Sequence, residues 1–179
     1  MPDDSKLIRL IKQGDKQAFD TLVRRHYPNI LAFCCRRIGN RATAEDLTQD
    51  VFLKLVAAIY KYRAVGKFSN FLFTIAANTC NDFFRKKTPA LSGDDIEEQA
   101  DSGGSPEDTL IGGEQAKQLY SQLRALPDMQ REALILHYFH GLKAKDIAEI
   151  QGVVPATAKS RIKQGLDKLR KAYKEDMGL

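Results

Sequence analysis

Between Thr88 and Gly113 the chain changes character. This stretch carries seven acidic residues, five glycines and two prolines, and neither Lys nor Arg. It has too little apolar surface to offset the entropy of ordering, so residues 88–113 read as a flexible acidic linker. The linker divides the 179 residues into two blocks, 1–87 and 114–179, each large enough for a small domain. It also hides a charge asymmetry. The formal net charge is +5, but the two blocks hold all 28 basic and only 16 of the 23 acidic residues, a net +12 outside the linker. Blocks that basic suit a polyanionic partner.

Both blocks follow the helical period, and alternating strand patterns are absent. Leu7, Ile8, Leu10 and Ile11 form an apolar stripe ending at Gly14. Asp15 is placed to cap a second helix carrying Ala18, Phe19, Leu22 and Val23. Pro28 is placed to open a third, with Ile30, Leu31, Phe33, Cys34 and Ile38, stopped by Gly39-Asn40. Thr43 with Asp46 three residues on predicts a capping box for a fourth, which buries Leu47, Val51, Leu55 and Ile59. Ser69 is placed to cap a fifth, running through Leu72, Ile75, Ala76 and Phe83 into Arg85-Lys86-Lys87. After the linker come a helix near 114–125, a Leu126-Pro127-Asp128 break, and a helix to about His140. The expected fold class is all-α, two helical domains joined by the acidic linker.

Several function classes find no support. With 43% hydrophobic residues a packed core is feasible, yet no apolar run is long enough for a bilayer. The polar start, Met1 to Lys6, lacks a signal-peptide core, so the expected location is cytoplasmic, without membrane insertion. Three cysteines, with Cys34 and Cys35 adjacent and Cys80 apart, read as small reduced hydrophobes rather than a disulfide framework. His137 and His140 share a helix face, but no third ligand type lies near them in sequence, so a structural role is expected and no metal. No Walker loop or nucleophile elbow occurs, so neither cofactor nor catalysis is expected.

Three constellations carry chemistry. First, a helix with Ile147, Ala148 and Ile150 runs into Gly152, and a second opens near Pro155. Its first turns hold Ala156, Thr157, Lys159, Ser160, Arg161 and Lys163. This is the layout of a helix-turn-helix, whose second helix meets base edges and phosphates in the major groove. An operator-binding repressor fits that segment equally well. Second, Asp46, Gln49, Asp50 and Leu53 share one helix face, either simply solvated or a docking ridge for a basic surface with Leu53 or Phe52 as apolar anchor. Third, Asn78, Asp82 and Arg85 follow a run in which Tyr60, Tyr62, Phe68, Phe71 and Phe73 are interspersed with Lys61, Arg63 and Lys67. Aromatics among cations suit unstacked bases, but most of these rings serve a core equally well. Residues 62–67 are expected to be exposed, and Phe71 or Phe73 to be core.

Taken together, these residues resemble the extracytoplasmic-function (group IV) sigma factors of bacterial RNA polymerase, over nearly the whole chain. Asp46-Leu47-Thr48-Gln49-Asp50-Val51-Phe52 resembles the family's D-x-x-Q-[ED]-x-F. Phe68-Ser69-Asn70-Phe71-Leu72 resembles F-x-x-W-L with Phe71 for tryptophan, and Ile75 to Arg85 resembles I-A-x-N-x-x-x-D-x-x-R. Leu126-Pro127 with Arg131-Glu132 resembles L-P-x-x-x-R-E. Gly141-Leu142, Ile147-Ala148-Glu149 and Thr157 to Arg161 resemble G-L, E-I-A-E and T-V-K-S-R, with Ala158 for valine, Pro155 one residue late, and Gln164-Gly165-Leu166 where R-A-R is common. The resemblance implies that residues 1–87 are a region-two domain whose Asp46, Gln49, Asp50, Phe52 and Leu53 meet the clamp helices of the polymerase β′ subunit. It implies minus-ten recognition and melting by Tyr62, Arg63, Lys67, Phe68, Asn78, Asp82, Arg85, Lys86 and Lys87. Residues 114–179 become a region-four domain that touches the β flap and reads minus-thirty-five promoter DNA through Pro155, Ala156, Thr157, Lys159, Ser160, Arg161 and Lys163. The linker is expected to thread toward the active centre and RNA exit path, and an anti-sigma factor is an expected partner.

Overall fold

The computed structural model describes residues 1–87 and 113–178. The expected linker therefore lies outside the described residues, except Gly113, which begins a helix. Among the described residues all regular structure is helical. The first half comprises α1 (Asp4–Lys12), α2 (Lys16–Ile38), α3 (Arg41–Ala58) and α4 (Phe68–Lys87). The second comprises α5 (Gly113–Arg124), α6 (Asp128–Leu134), a π-helical turn (Ile135–Phe139), α7 (Ala144–Gln151) and α8 (Pro155–Asp176).

Local chemistry sets most of the boundaries. The Asp3 carboxylate accepts from Lys6 N, and Asp15 accepts from Gln17 N and Ala18 N, each pairing an amide left orphaned at a helix start. Gly39 ends α2 in the left-handed region (φ 81°), which a side chain would strain. Three expectations need correction. Pro28 does not open a helix; it sits inside the continuous α2, where its ring costs one backbone bond that packing on both flanking turns outweighs. The cap of α3 is Asn40, whose Oδ1 accepts from Thr43 N at 2.9 Å, so the helix starts before Thr43. Ser69 is not a cap either, because α4 already begins at Phe68.

The two halves share one core. Leu22, Ile30, Phe33, Val51, Leu55, Ile59 and Leu72 are fully enclosed in the first half, and Ile135, Leu136, Ile147 and Ala158 join the same apolar cluster from the second. Burying this surface is the main favourable term for holding the halves together. A smaller cluster of Leu123, Leu126 and Leu134 packs under Tyr120, Leu166 and Leu169. There Gly165 permits close approach of α8 to α6: a Cβ at this position would lie 2.9 Å from Leu134 Cδ1. The unusual Gly165 thus has a packing reason.

Candidate nucleic-acid interface

The docking-face residues of α3 lie open. Asp46, Gln49 and Asp50 are exposed, and Leu53, 68% exposed, stands beside exposed Val56 and Tyr60. Phe52 does not belong to this face. It is buried, with its ring stacked on Tyr27 at 5.8 Å between centroids, so Leu53 is the apolar side chain on offer. Burial of Phe52 follows from its place next to Val51 and three residues before Leu55, on the inward side of the helix.

The residues between α3 and α4, and α4 itself, are arranged differently from the sequence expectation. Tyr62 is only 7% exposed, packed against Phe71 and Phe68 at 4.6 and 5.6 Å between centroids. Lys12 Nζ donates to the Tyr62 carbonyl at 2.6 Å, tying the loop to α1. Burial pushes the Tyr62 phenol up, helped by the charges of Glu149 and Asp4. Phe68 is also buried, edge-on to His26, while Phe73 is core and Phe71 half-buried. Arg63 and Lys67 are exposed, as are Asn78, Lys86 and Lys87. Asp82 pairs with Arg85 on the same helix, and the Lys87 ammonium lies over the Phe83 ring at 5.2 Å. The polar members of the expected site thus lie at the surface, Arg63 and Lys67 on the loop before α4 and Asn78, Asp82, Arg85, Lys86 and Lys87 along it, while Tyr62 and Phe68 pack inward at the loop and the head of α4.

The helix-turn-helix is present as expected. Gly152 turns left-handed (φ 66°) between α7 and α8, a conformation that favours glycine. Val154 precedes Pro155, which occupies the first turn of α8, where its missing N–H costs nothing. Pro155, Ala156, Lys159, Ser160 and Lys163 are exposed at that end, with Thr157 half-buried. Arg161 is half-buried and donates to Gln151 Oε1 at 2.9 Å.

Sequence reasoning missed the polar contacts that join the halves. The Arg37 guanidinium is buried in α2 and pairs with the buried carboxylate of Glu132. It also donates to Asp128 Oδ1 at 3.1 Å and Asn81 Oδ1 at 3.0 Å. Burial pulls the Arg37 pKa down and the Asp128 charge opposes it, and the guanidinium stays charged. Gln151 Nε2 reaches Glu132 Oε1 at 3.0 Å, so a continuous polar relay runs Arg37–Glu132–Gln151–Arg161. At the head of α4, Asn70 Nδ2 donates to Asp146 Oδ1 at 2.8 Å and to Glu149 Oε2 at 3.2 Å. Arg124 Nη2 donates to the Gly39 carbonyl at 3.2 Å. One signal was available: Arg37 falls three and four residues after Cys34 and Phe33, and Asn70 three before Phe73, so both sit on apolar stripes.

His137, His140, Cys34 and Cys80 lie within packed surroundings. His140 packs edge-on to Phe73 and Phe33, at 5.1 and 6.0 Å between centroids, and His137 Nδ1 lies 2.8 Å from the Leu142 carbonyl. Burial, and then the Arg36 charge, push the His140 imidazole down to about 4. Cys34 and Cys80 are buried with sulfurs 4.0 Å apart, and the contact with Cys80 and burial both raise the Cys34 thiol, which stays protonated. Among the described residues no cluster of His, Cys, Asp and Glu has the makings of a metal site.

Comparison with known proteins places this geometry. A family model described as Sigma-70 region 2 matches residues 22–89, and one described as Sigma-70, region 4 matches residues 116–169. The chain is 31% identical to the ECF RNA polymerase sigma factor SigW of Bacillus subtilis over 95% of its own length and 96% of that protein's. In fold it is similar to CnrH, solved in complex with the cytosolic domain of CnrY (TM-score 0.73, 22% identity, 97% and 98% of the two chains covered). It is also similar to the sigma factor RpoE from Bartonella quintana, solved with the anti-sigma factor NepR (TM-score 0.68, 24% identity, 87% and 96% covered).

Proposed function

The chain belongs to the extracytoplasmic-function family of RNA polymerase sigma factors, non-enzymatic subunits of transcription initiation, and from that premise we propose how its surfaces divide the work. The exposed ridge of Asp46, Gln49, Asp50 and Leu53 docks on the β′ clamp helices, with carboxylates against a basic surface and Leu53 as the anchor. The stripe of Arg63, Lys67, Asn78, Asp82, Arg85, Lys86 and Lys87 takes the non-template strand of the minus-ten element, and Tyr62 and Phe68 brace it. Cations hold phosphates there while the Asn78 amide meets unstacked bases. The first turns of α8 enter the major groove of the minus-thirty-five element, with Thr157, Lys159, Ser160, Arg161 and Lys163 toward bases and phosphates. The second half touches the β flap, and residues 88–113 lead between the two sites.

The observation that carries this reading is the exposed, basic opening of α8 behind a glycine turn, in one chain with the open acidic ridge of α3. A protein of the anti-sigma class is the proposed negative regulator, by analogy with the RpoE–NepR pair. As a relative of RNA polymerase sigma factors the chain is proposed to act with polymerase in the cytoplasm; among the described residues no helix is long and apolar enough to cross a membrane. Co-elution with core polymerase tests the docking ridge. The wild-type chain is expected to co-elute and the Asp46→Ala, Asp50→Ala double variant to do so weakly; undiminished co-elution of the variant would contradict the assignment.

A further inference from the structure

We propose that Gln164 is a specificity-determining residue of the minus-thirty-five helix, selecting an A·T base pair, and that Gln130 on α6 positions its amide for that choice. The proposal rests on the minus-thirty-five role given above to the opening of α8 and adds a reader to the residues named there. Three observations support it. Gln164 is exposed on α8, and with Ser160, Arg161 and Gln130 it lines a groove of about 450 Å³ between α6 and the opening of α8. Its side chain is held at both amide atoms: Gln130 Nε2 donates to Gln164 Oε1 at 3.0 Å, and Gln164 Nε2 donates to Ser160 Oγ at 3.2 Å. Gly165 lets α6 come close beside it, since a Cβ there would lie 3.5 Å from Gln130 Cβ. The residue that removes its own side chain at 165 thus brings Gln130 within reach of 164.

A glutamine amide has two N–H donors and an oxygen with two lone pairs. These two bonds use one donor and one acceptor, and leave one of each on the same exposed group. In the major groove adenine offers an acceptor at N7 and a donor at N6, the complement of that remaining pair, whereas guanine offers acceptors at both N7 and O6. An arginine at position 164 would present donors alone and so match guanine instead. Holding the amide before DNA arrives also lowers the rotamer entropy lost on contact, which a free surface glutamine would give up in full. Arg161 differs from Gln164 in that it already donates to Gln151 Oε1. Lys159 and Lys163, exposed on the same helix, suit phosphates and carry no sequence information there.

The test uses core polymerase with the full chain on promoter templates in which each base pair of the upstream element is varied in turn, with initiation measured on each. Gln164→Ala is expected to lose about tenfold in discrimination at one A·T base pair and little elsewhere. Gln164→Arg is expected to move the preference at that base pair to G·C. Gln130→Leu is expected to keep the A·T preference with a narrower margin, because it releases the amide without removing it. That variant is expected to fold, since Gln130 Oε1 is buried without a donor among the described residues and its loss leaves nothing unpaired. Unchanged preferences in Gln164→Ala, or a loss equal on all templates, overturn the proposal, as does Gln164→Arg with the wild-type preference. Lys159→Ala with Arg161→Ala reads the underlying role of α8 separately. Undiminished initiation by that variant removes the role and the proposal with it; lost initiation there, beside unchanged preferences in Gln164→Ala, removes the proposal alone.

Discussion

The α3 ridge and the head of α4 belong to the same helical half, yet one is open and the other is covered. Asp46, Gln49, Asp50 and Leu53 are exposed among the described residues. The Lys67–Asn70 end of α4 lies under α7. On the proposed assignment the ridge stands open to a polymerase, whereas the Lys67–Asn70 segment already has α7 as its neighbour. The difference separates two kinds of residue. On the ridge a substitution is expected to change binding and leave folding alone; at the covered contact it is expected to change both.

The largest expected effect is at a second contact between the halves, the buried Arg37–Glu132 pair. Arg37→Met leaves the Glu132 carboxylate buried without its partner, and one-sided removal of a buried ion pair costs about 3–5 kcal/mol. Denaturant unfolding checks this; a loss below about 1 kcal/mol would mean the contact is not closed in solution. A comparable effect, titrated by pH, is expected at His140. Its imidazole is held neutral, at about 4 against 6.5 when free, by burial between Phe33 and Phe73 and by Arg36 on α2. The folded pKa is depressed, so the stabilisation is complete above 6.5 and is lost as pH falls from 6.5 toward 4, by at most about 3 kcal/mol. His140→Leu is expected to flatten stability across that window; an unchanged pH profile would place the ring in water. Asp146 is burdened by burial, but its bonds to Asn70 and the charge of Lys67 pull its pKa below the usual carboxylate range. Its contribution is lost only as pH falls through that lower value.

Smaller effects sharpen the open side. Asp46→Ala with Asp50→Ala is expected to weaken polymerase association by about 1–2 kcal/mol while changing stability by less than about 0.5 kcal/mol. Equal losses in both would merge the two regions. Lys159→Ala, on the exposed opening of α8, is expected to lower promoter affinity uniformly and reduce the salt slope by about one. A changed sequence preference would instead make Lys159 a reader of base edges.

Much of this molecule is legible in the chain because local rules govern it. Asp15 caps α2, Gly39 ends it, and the stripe of Val51, Leu55 and Ile59 faces inward, all from spacing and side-chain chemistry. Where the reading fails, a distant partner decides. Pro28 stays inside a helix because neighbours on both flanking turns hold it. Tyr62, a loop aromatic with no periodicity, is drawn in by Phe71, Phe68 and Lys12. The Arg37–Glu132 pair joins residues 95 positions apart, and no local pattern encodes that meeting. The exposed polar residues of α3, α4 and α8 were legible because a helix face is a property of sequence, whereas the cover over Asn70 is a property of two halves packing.

Initiation itself tests the account most directly. Core polymerase freed of its own specificity subunit is supplied with this chain and fragmented genomic DNA, and the 5′ ends of the transcripts are sequenced. The account predicts discrete start sites sharing two upstream elements, lost when Lys159 and Arg161 are both changed to Ala. Transcripts no different in position or amount from those of polymerase alone would contradict it.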